Sequence, residues 1–127
     1  MMKELALKSK TAFYEVSKLN TSIKNNILLT IKKELLTQVN SIIAENVKDI
    51  DAANKKNIGA AMIDRLTLNE SRITKIADSI DEIIGLDDPV GEIANMKIRP
   101  NGLKIGQMRV PIGSILIIYE SRPNVTA

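Results

Sequence analysis

The chain has 127 residues, a length that suits one domain or part of one. Apolar residues make up 44% and charged residues 26%, which is typical of a globular protein and too apolar for a disordered tail. The net charge is only +3 and the aromatic residues are two tyrosines and one phenylalanine, so nucleic acid is not an expected partner. No apolar run approaches the roughly 18 residues of a membrane span. Residues 1–10 lack the apolar core of a secretory signal, so we expect a cytoplasmic protein without a membrane partner.

Two reactive residue types are missing from the chain, which contains no cysteine and no histidine. Disulfide bonds, Cys or His metal sites and catalysis by a cysteine nucleophile are therefore excluded for these residues. We predict no metal site. Any chemistry has to use carboxylates, amines, guanidinium groups, hydroxyls or backbone groups, or residues from outside this chain.

Residues 1–85 are predicted to be helical throughout, because they contain no proline and only two glycines, Gly59 and Gly85. A first helix is followed at residues 20–22 by side-chain oxygens that suit the N-cap of a second helix. The second helix is the clearest element, because apolar residues recur every three or four positions over residues 23–43. We expect these apolar stripes to pack in the core.

Three shorter helices complete this half. Asn46 is predicted to cap a third helix that ends before Gly59, and a fourth helix runs from about Ala60 to Leu66. Asn69 is predicted to cap a fifth helix, which ends at Gly85 in the left-handed conformation of a C-terminal cap.

The composition changes at residue 86, because residues 86–127 contain all four prolines and four of the six glycines. Residues 86–113 are predicted to form a linker and a β-hairpin. The strands of the hairpin are Ile93–Arg99 and Leu103–Val110, and a Pro-Asn-Gly turn at residues 100–102 joins them.

A third strand is predicted over Ser114–Tyr119, which is apolar without alternation. Such strands are buried on both faces in parallel sheets covered by helices, and a parallel neighbour requires a crossover of a dozen or more residues. Only eight residues follow Tyr119, and among them Pro123, capped by Ser121, is predicted to open a helix. We therefore expect an α/β fold truncated here to its front end, with residues 114–127 forming one strand and the start of the next helix.

The residues after this strand carry the only site-like pattern in the sequence. Ligands of open α/β sheets bind beyond the carboxyl ends of the strands, where Glu120, Ser121, Arg122 and Asn124 are predicted to lie. An arginine binds phosphate or carboxylate bidentately, and an asparagine amide can donate to a developing oxyanion. In the alternative interpretation, Ser121 only caps a helix and Glu120 pairs with Arg122. The sequence has no glycine-rich dinucleotide fingerprint.

Three segments carry a resemblance to a known family. Residues 110–126 read VPIGSILIIYESRPNVT, residues 62–68 read MIDRLTL and residues 87–91 read DDPVG. In this order they resemble the γ-glutamyl phosphate reductases, also called glutamate-5-semialdehyde dehydrogenases, of the aldehyde dehydrogenase superfamily. The resemblance covers the whole chain, which corresponds to roughly the first third of a family member.

The resemblance implies an aldehyde-dehydrogenase-like fold. Residues 1–85 then belong to the helical region of the cofactor-binding domain, residues 86–113 hold the oligomerisation arm, and residues 114–127 begin with the first strand of the cofactor sheet. The implied reaction is NADPH-dependent reduction of L-glutamyl 5-phosphate to L-glutamate 5-semialdehyde and phosphate, in L-proline biosynthesis. In such enzymes a cysteine thiolate attacks the acyl phosphate, phosphate leaves and hydride reduces the thioester. We therefore expect this chain to be inactive alone.

The same resemblance implies roles for the residues that follow the third strand. Tyr119, Glu120 and Ser121 are expected to contact NADPH or NADP. Arg122 and Asn124 are expected to contact the substrate, with Arg122 binding an anion and Asn124 a candidate oxyanion donor.

The expected partners are the small-molecule substrate, further copies of the enzyme bound through residues 93–119, and glutamate 5-kinase. Two alternative functions remain open from the sequence. The chain could be a non-catalytic helical interaction module that reuses the front end of the enzyme, or a nucleotide-binding fragment without catalysis.

Overall fold

The computed structural model describes residues 2–120 and 122–126. They form two compact units, one containing the residues up to Thr21 with Asp87–Leu116, the other Ser22–Leu86 with the residues after Leu116. In the described part, five α-helices precede one antiparallel pair of strands. The predicted helical region and hairpin are therefore confirmed, while the division at residues 85 and 113 stays a prediction.

The five helices account for most of residues 2–84. They are α1 (Met2–Val16), α2 (Thr21–Thr37), α3 (Val39–Lys55), α4 (Ala60–Leu66) and α5 (Glu70–Ile84). No helix in the described ranges is long and apolar enough to cross a membrane.

The predicted second helix is two helices, because the chain departs from helical geometry at Gln38 (φ −102°, ψ 16°). The break is short. The Gln38 N–H still donates to the Glu34 carbonyl at 3.0 Å, and the Ile42 N–H donates to the Gln38 carbonyl at 2.9 Å. A break of one residue barely shifts the phase of the apolar stripe, so the periodicity of residues 23–43 conceals it.

Two of the predicted caps are wrong and one is confirmed. Asn46 lies inside α3 and is only 5% exposed, so it does not cap that helix. Gly85 is right-handed (φ −74°, ψ −10°), because the Leu86 N–H closes a tight turn onto the Ile83 carbonyl at 3.1 Å and no left-handed residue is needed. Asn69 caps α5 as predicted, and its side-chain oxygen accepts from the Arg72 N–H at 2.8 Å.

The small core of the second unit lies between α3 and α5. Its buried apolar residues are Ala53 on α3 and Ile73, Ala77 and Ile80 on α5, the last three at helical spacing. Burying a side chain of the size of Ile73 contributes about 1.5–3 kcal/mol to folding. An ion pair between the side chains of Lys32 on α2 and Asp81 on α5 adds a polar contact beside this core.

The hairpin of the first unit has strands β1 (Ile93–Ile98) and β2 (Lys104–Met108), paired antiparallel from Ile93 opposite Met108 to Ile98 opposite Lys104. The predicted Pro-Asn-Gly turn joins them, with Gly102 at φ +85°. Only glycine adopts this conformation without strain, which explains its place in the turn.

One asparagine and one aspartate side chain form the hydrogen bonds within the hairpin and before it. Asn95 has a positive φ of 54° where the register shifts between Ala94 and Lys97, and its amide donates to Gln107 Oε1 at 2.8 Å. Before the hairpin, Asp88 accepts from the Thr21 hydroxyl at 3.0 Å and from the Val90 N–H at 3.0 Å. The DDPVG segment therefore forms a turn before the hairpin and is hydrogen-bonded to Thr21.

The predicted third strand, Ser114–Tyr119, is not a strand in the described residues. It enters no strand ladder, and its apolar side chains are open, with Ile118 89% exposed. A strand is stabilised by hydrogen bonds to a neighbour, and no described segment pairs with this one. The prediction was based on apolar composition, which does not show whether a neighbouring strand is present.

The predicted helix at Pro123 is a single 3₁₀ turn, Pro123–Val125, preceded by Arg122. The predicted cap, Ser121, lies outside the described residues. The coarse architecture is therefore a helical region followed by a two-stranded antiparallel sheet, without the strand and the regular helix that were expected at the end.

Candidate functional site

The connection between α4 and α5 is fixed by the buried side chain of Asn46. Its Nδ2 donates to the Leu66 carbonyl at 3.0 Å, and its Oδ1 accepts from the Leu68 N–H at 2.7 Å. Donor and acceptor are both used, so one side chain satisfies two backbone groups of the connection. This explains an asparagine inside α3, where its helix propensity is poor.

Arg72 fixes the same connection from α5. Its guanidinium donates to the Thr67 carbonyl at 2.7 Å and to the Asp64 carboxylate at 2.8 Å, and also to the Asp64 carbonyl. These bonds use the guanidinium to hold the connection. Together, Asn46 and Arg72 hold residues 64–68 of the MIDRLTL segment, and we assign both side chains to positioning that loop.

The chain after Tyr119 folds back on itself. The Val125 N–H donates to the Arg122 carbonyl at 3.1 Å, and the Thr126 N–H to the Pro123 carbonyl at 3.2 Å. The hydroxyls of Tyr119 and Thr126 lie 2.5 Å apart and share a hydrogen bond. This arrangement, which we name the 122–126 turn, holds Asn124 at the surface between two backbone-bonded residues.

A cleft of about 530 Å³ lies between the end of α4, one face of α5 and the 122–126 turn, all within the second unit. We name it the basic cleft. The face of α5 follows helical spacing at residues 72, 75, 76 and 79. The charged and amide side chains that line the cleft are Asp64, Arg65, Arg72, Lys75, Arg122 and Asn124.

A second cleft, of about 450 Å³, lies on the α3 side of the same turn. Tyr119 lines it, together with Glu45 and Asp49 of α3. Arg122 lines both clefts, and it therefore lies between the basic cleft and the second cleft with its two acidic residues.

The structure brings together some of the predicted site residues and leaves others apart. Arg122 and Asn124 share the basic cleft, while Tyr119 lines the second cleft. Glu120 is exposed, and among the described residues it forms no ion pair with Arg122, so the alternative pairing is not observed. Ser121 lies outside the described residues.

Three basic lining residues were missed from the sequence, namely Arg65, Arg72 and Lys75. Arg72 and Lys75 stand on the exposed side of a strongly amphipathic helix, where lysine and arginine are ordinary. The signal that was present is their spacing of three residues, together with Ser79 four residues further on. Only the fold shows that this face lies beside Arg122.

Comparison with known proteins gives a consistent result. No protein-family model matches the chain. Curated proteins named γ-glutamyl phosphate reductase match it at 50% identity over 119 residues in Dictyoglomus turgidum, at 49% over 122 residues in a Sulfurihydrogenibium species and at 50% over 120 residues in Clostridium perfringens. These alignments cover 94%, 96% and 94% of this chain. The chain is homologous to part of γ-glutamyl phosphate reductase.

The structural comparison agrees with the sequence comparison. A crystal structure of γ-glutamyl phosphate reductase from Thermotoga maritima matches 97% of this chain with a TM-score of 0.93 and 39% identity. The chain spans 29%, 27% and 29% of the length of the three curated reductases and 30% of that crystallised chain. The predicted resemblance to γ-glutamyl phosphate reductase is therefore confirmed over nearly the whole of this chain.

Proposed function

We propose that this chain is the amino-terminal part of a γ-glutamyl phosphate reductase, which reduces L-glutamyl 5-phosphate to L-glutamate 5-semialdehyde and phosphate in L-proline biosynthesis. The observation that carries the proposal is the identity of about one residue in two to named reductases over 94% of the chain. The TM-score of 0.93 to the Thermotoga maritima reductase supports the same assignment. Nothing in these comparisons favours a non-catalytic interaction module or a nucleotide-binding fragment.

In this proposal the 122–126 turn meets the reacting end of the substrate. The Asn124 side chain makes no hydrogen bond to another described residue, so its amide is free to donate. An amide fixed at a tight turn can stabilise an oxyanion that develops on the acyl carbon. Arg122, two residues earlier, has the fork of donors that suits the phosphoryl oxygens.

The proposed cofactor is NADPH, which supplies hydride when it is bound. Tyr119 offers an aromatic ring on a side chain that is 46% exposed, and Glu120 offers carboxylate oxygens that can accept from ribose hydroxyls. An aromatic ring and a hydrogen-bond acceptor therefore suit a nucleotide at the end of Ser114–Tyr119, with Ser121 as a further proposed contact. We propose that this segment joins the cofactor sheet of an aldehyde-dehydrogenase-like domain as its first strand.

The covalent step requires a residue that this sequence does not contain. With no cysteine among the 127 residues, the thiolate expected in such reductases has to come from outside them. The 127-residue chain alone is therefore expected to show no NADPH turnover.

Self-association is proposed through residues 93–119. In the hairpin and the segment after it, apolar side chains stand open to solvent, with Ile98 71%, Val110 71% and Ile112 95% exposed. Exposed apolar strands recruit other chains. We propose that these residues contact other copies of the enzyme. Glutamate 5-kinase as a partner, and the cytoplasm as location, stay predictions from the sequence.

A chimeric enzyme tests the proposed function. These 127 residues replace the matching 30% of the Thermotoga maritima reductase, and NADP reduction is followed with glutamate 5-semialdehyde and phosphate as substrates. The expected result is a folded chimera with phosphate-dependent activity of the same order as the parent enzyme. A folded chimera without activity would contradict the proposal.

A further inference from the structure

The basic cleft contains more basic side chains than the described residues pair with acidic ones. Its acidic lining residue, Asp64, is paired with Arg72 at 2.8 Å. Arg65, Lys75 and Arg122 line the same cleft, and none of their side chains forms an ion pair or hydrogen bond with another described residue. The cleft therefore presents three cations without counter-charges from the described chain.

These three cations come from three different elements. Arg65 lies in the last turn of α4, Lys75 in the middle of α5 and Arg122 directly before the 3₁₀ turn. Here the three cations line one concave space of about 530 Å³ instead of being spread over a flat surface. Convergent charge in a cleft attracts anions more strongly than the same charge on an open surface.

The remaining walls suit a small substrate with oxyanion ends. Leu68, Ile76 and Pro123 provide apolar contact beside these cations. The Asn124 amide lines the same space. The lining therefore combines cationic and amide donors with apolar contact, which suits a small ligand with oxyanion groups, such as an acyl phosphate that also bears a carboxylate.

We infer that Arg65 and Lys75, together with Arg122, form an oxyanion-binding cleft that selects the doubly anionic substrate of the proposed reductase. This inference rests on the proposed function for the identity of the substrate, and it adds two specificity-determining residues. The oxyanion can be the phosphoryl group or the α-carboxylate of L-glutamyl 5-phosphate, and the two sources are separated by the probes below.

The direct test is a titration of the 127-residue chain followed by ¹H–¹⁵N NMR. Inorganic phosphate and L-glutamate are added separately, with sodium chloride at matched ionic strength as the control for screening. The expected result is a saturable shift of the Asn124 side-chain amide and of backbone amides lining the basic cleft. Saturation by phosphate identifies a phosphoryl site, and saturation by L-glutamate identifies a carboxylate site.

Matched variants decide whether the named residues are responsible. Lys75→Ala is expected to lower the affinity for the saturating probe by about tenfold or more, because the variant loses one charge-assisted hydrogen bond. Arg65→Ala repeats the test on a second element. Lys56→Ala removes the same charge from an exposed site at the end of α3 and is expected to leave the titration unchanged.

The outcomes separate this inference from the proposed function. No saturable shift with either probe would overturn the inference, and so would equal effects of Lys75→Ala and Lys56→Ala. A folded but inactive chimera, together with binding that depends on Lys75, would contradict the proposed function and leave the oxyanion-binding cleft standing.

Discussion

Replacing Asn46 by alanine removes the side chain that joins α3 to the α4–α5 connection. Both of its polar atoms are used, at 3.0 Å to the Leu66 carbonyl and 2.7 Å to the Leu68 N–H, and the residue is 5% exposed. Alanine leaves both backbone groups without a partner. We expect the variant to be clearly less stable.

The magnitude follows from these two orphaned groups. A buried group left without a hydrogen bond costs about 1–3 kcal/mol, and because these two are only part-buried, the pair costs about 2–4 kcal/mol. Alanine has the better helix propensity and returns about 0.6 kcal/mol. The net loss of about 1.5–3.5 kcal/mol is a large share of a typical total stability of about 5–15 kcal/mol.

Urea unfolding followed by far-ultraviolet circular dichroism measures this loss. With a typical urea dependence of about 1–3 kcal/mol per molar, the midpoint is expected to fall by roughly 1 M. Asn40→Ala is the matched control, because Asn40 is exposed on the same helix. It is expected to be neutral or slightly stabilising. If Asn46→Ala unfolds at the same urea concentration as Asn40→Ala, the described hydrogen bonds do not hold the connection.

Three further predictions concern other parts of the chain. Gly106→Ala is expected to destabilise the hairpin by about 1–3 kcal/mol, because its Cβ would lie 2.9 Å from Ile93 Cγ2 and overpacking forces a neighbour to move. Gly59→Ala is the control, since its Cβ meets nothing within 4 Å. Hydrogen exchange of the backbone amides in β1 and β2 compares the two variants. Ile117→Lys is expected to make the chain more monomeric in analytical ultracentrifugation with its helical circular dichroism retained, because Ile117 is 56% exposed; a compact wild-type monomer at high concentration would contradict this. The pure 127-residue chain is expected to give no enzyme-dependent NADPH oxidation, because it lacks cysteine; measurable turnover would refute the covalent route.

The elements that were predicted correctly are those whose sequence signals lie within the element or next to it. The cap at Asn69 and the Pro-Asn-Gly turn act within a few residues of their own position, so α5 and the hairpin follow from the sequence. Gln38 carries no breaking signal of its own, and the apolar stripe continues across it, so the division of α2 from α3 could not be predicted.

Features that depend on distant partners could not be predicted. Asn46 looks like a helix cap in the sequence, yet its partners, Leu66 and Leu68, lie 20 and 22 residues further along the chain. Ser114–Tyr119 has the composition of a buried strand, but pairing requires a neighbour and none is supplied by the described residues.

The candidate site was predicted in part for the same reason. Arg122 and Asn124 stand out because they follow an apolar segment in a recognisable motif. Arg65 lies within the MIDRLTL segment and Lys75 lies outside all three motif segments, but nothing in the sequence marks either as a site residue. Only the packing of α4 and α5 on α3 brings both to the same cleft.

The proposed function requires the 122–126 turn to meet the reacting group of an acyl phosphate, and Asn124→Ala in the chimeric reductase measures the effect of that contact. Loss of one oxyanion donor typically lowers kcat by about 10²–10³-fold. We predict a fall of this order in Asn124→Ala, with a KM for glutamate 5-semialdehyde close to that of the unmodified chimera and an unchanged Asn40→Ala control. A kcat for Asn124→Ala equal to that of Asn40→Ala would show that Asn124 does not stabilise the oxyanion.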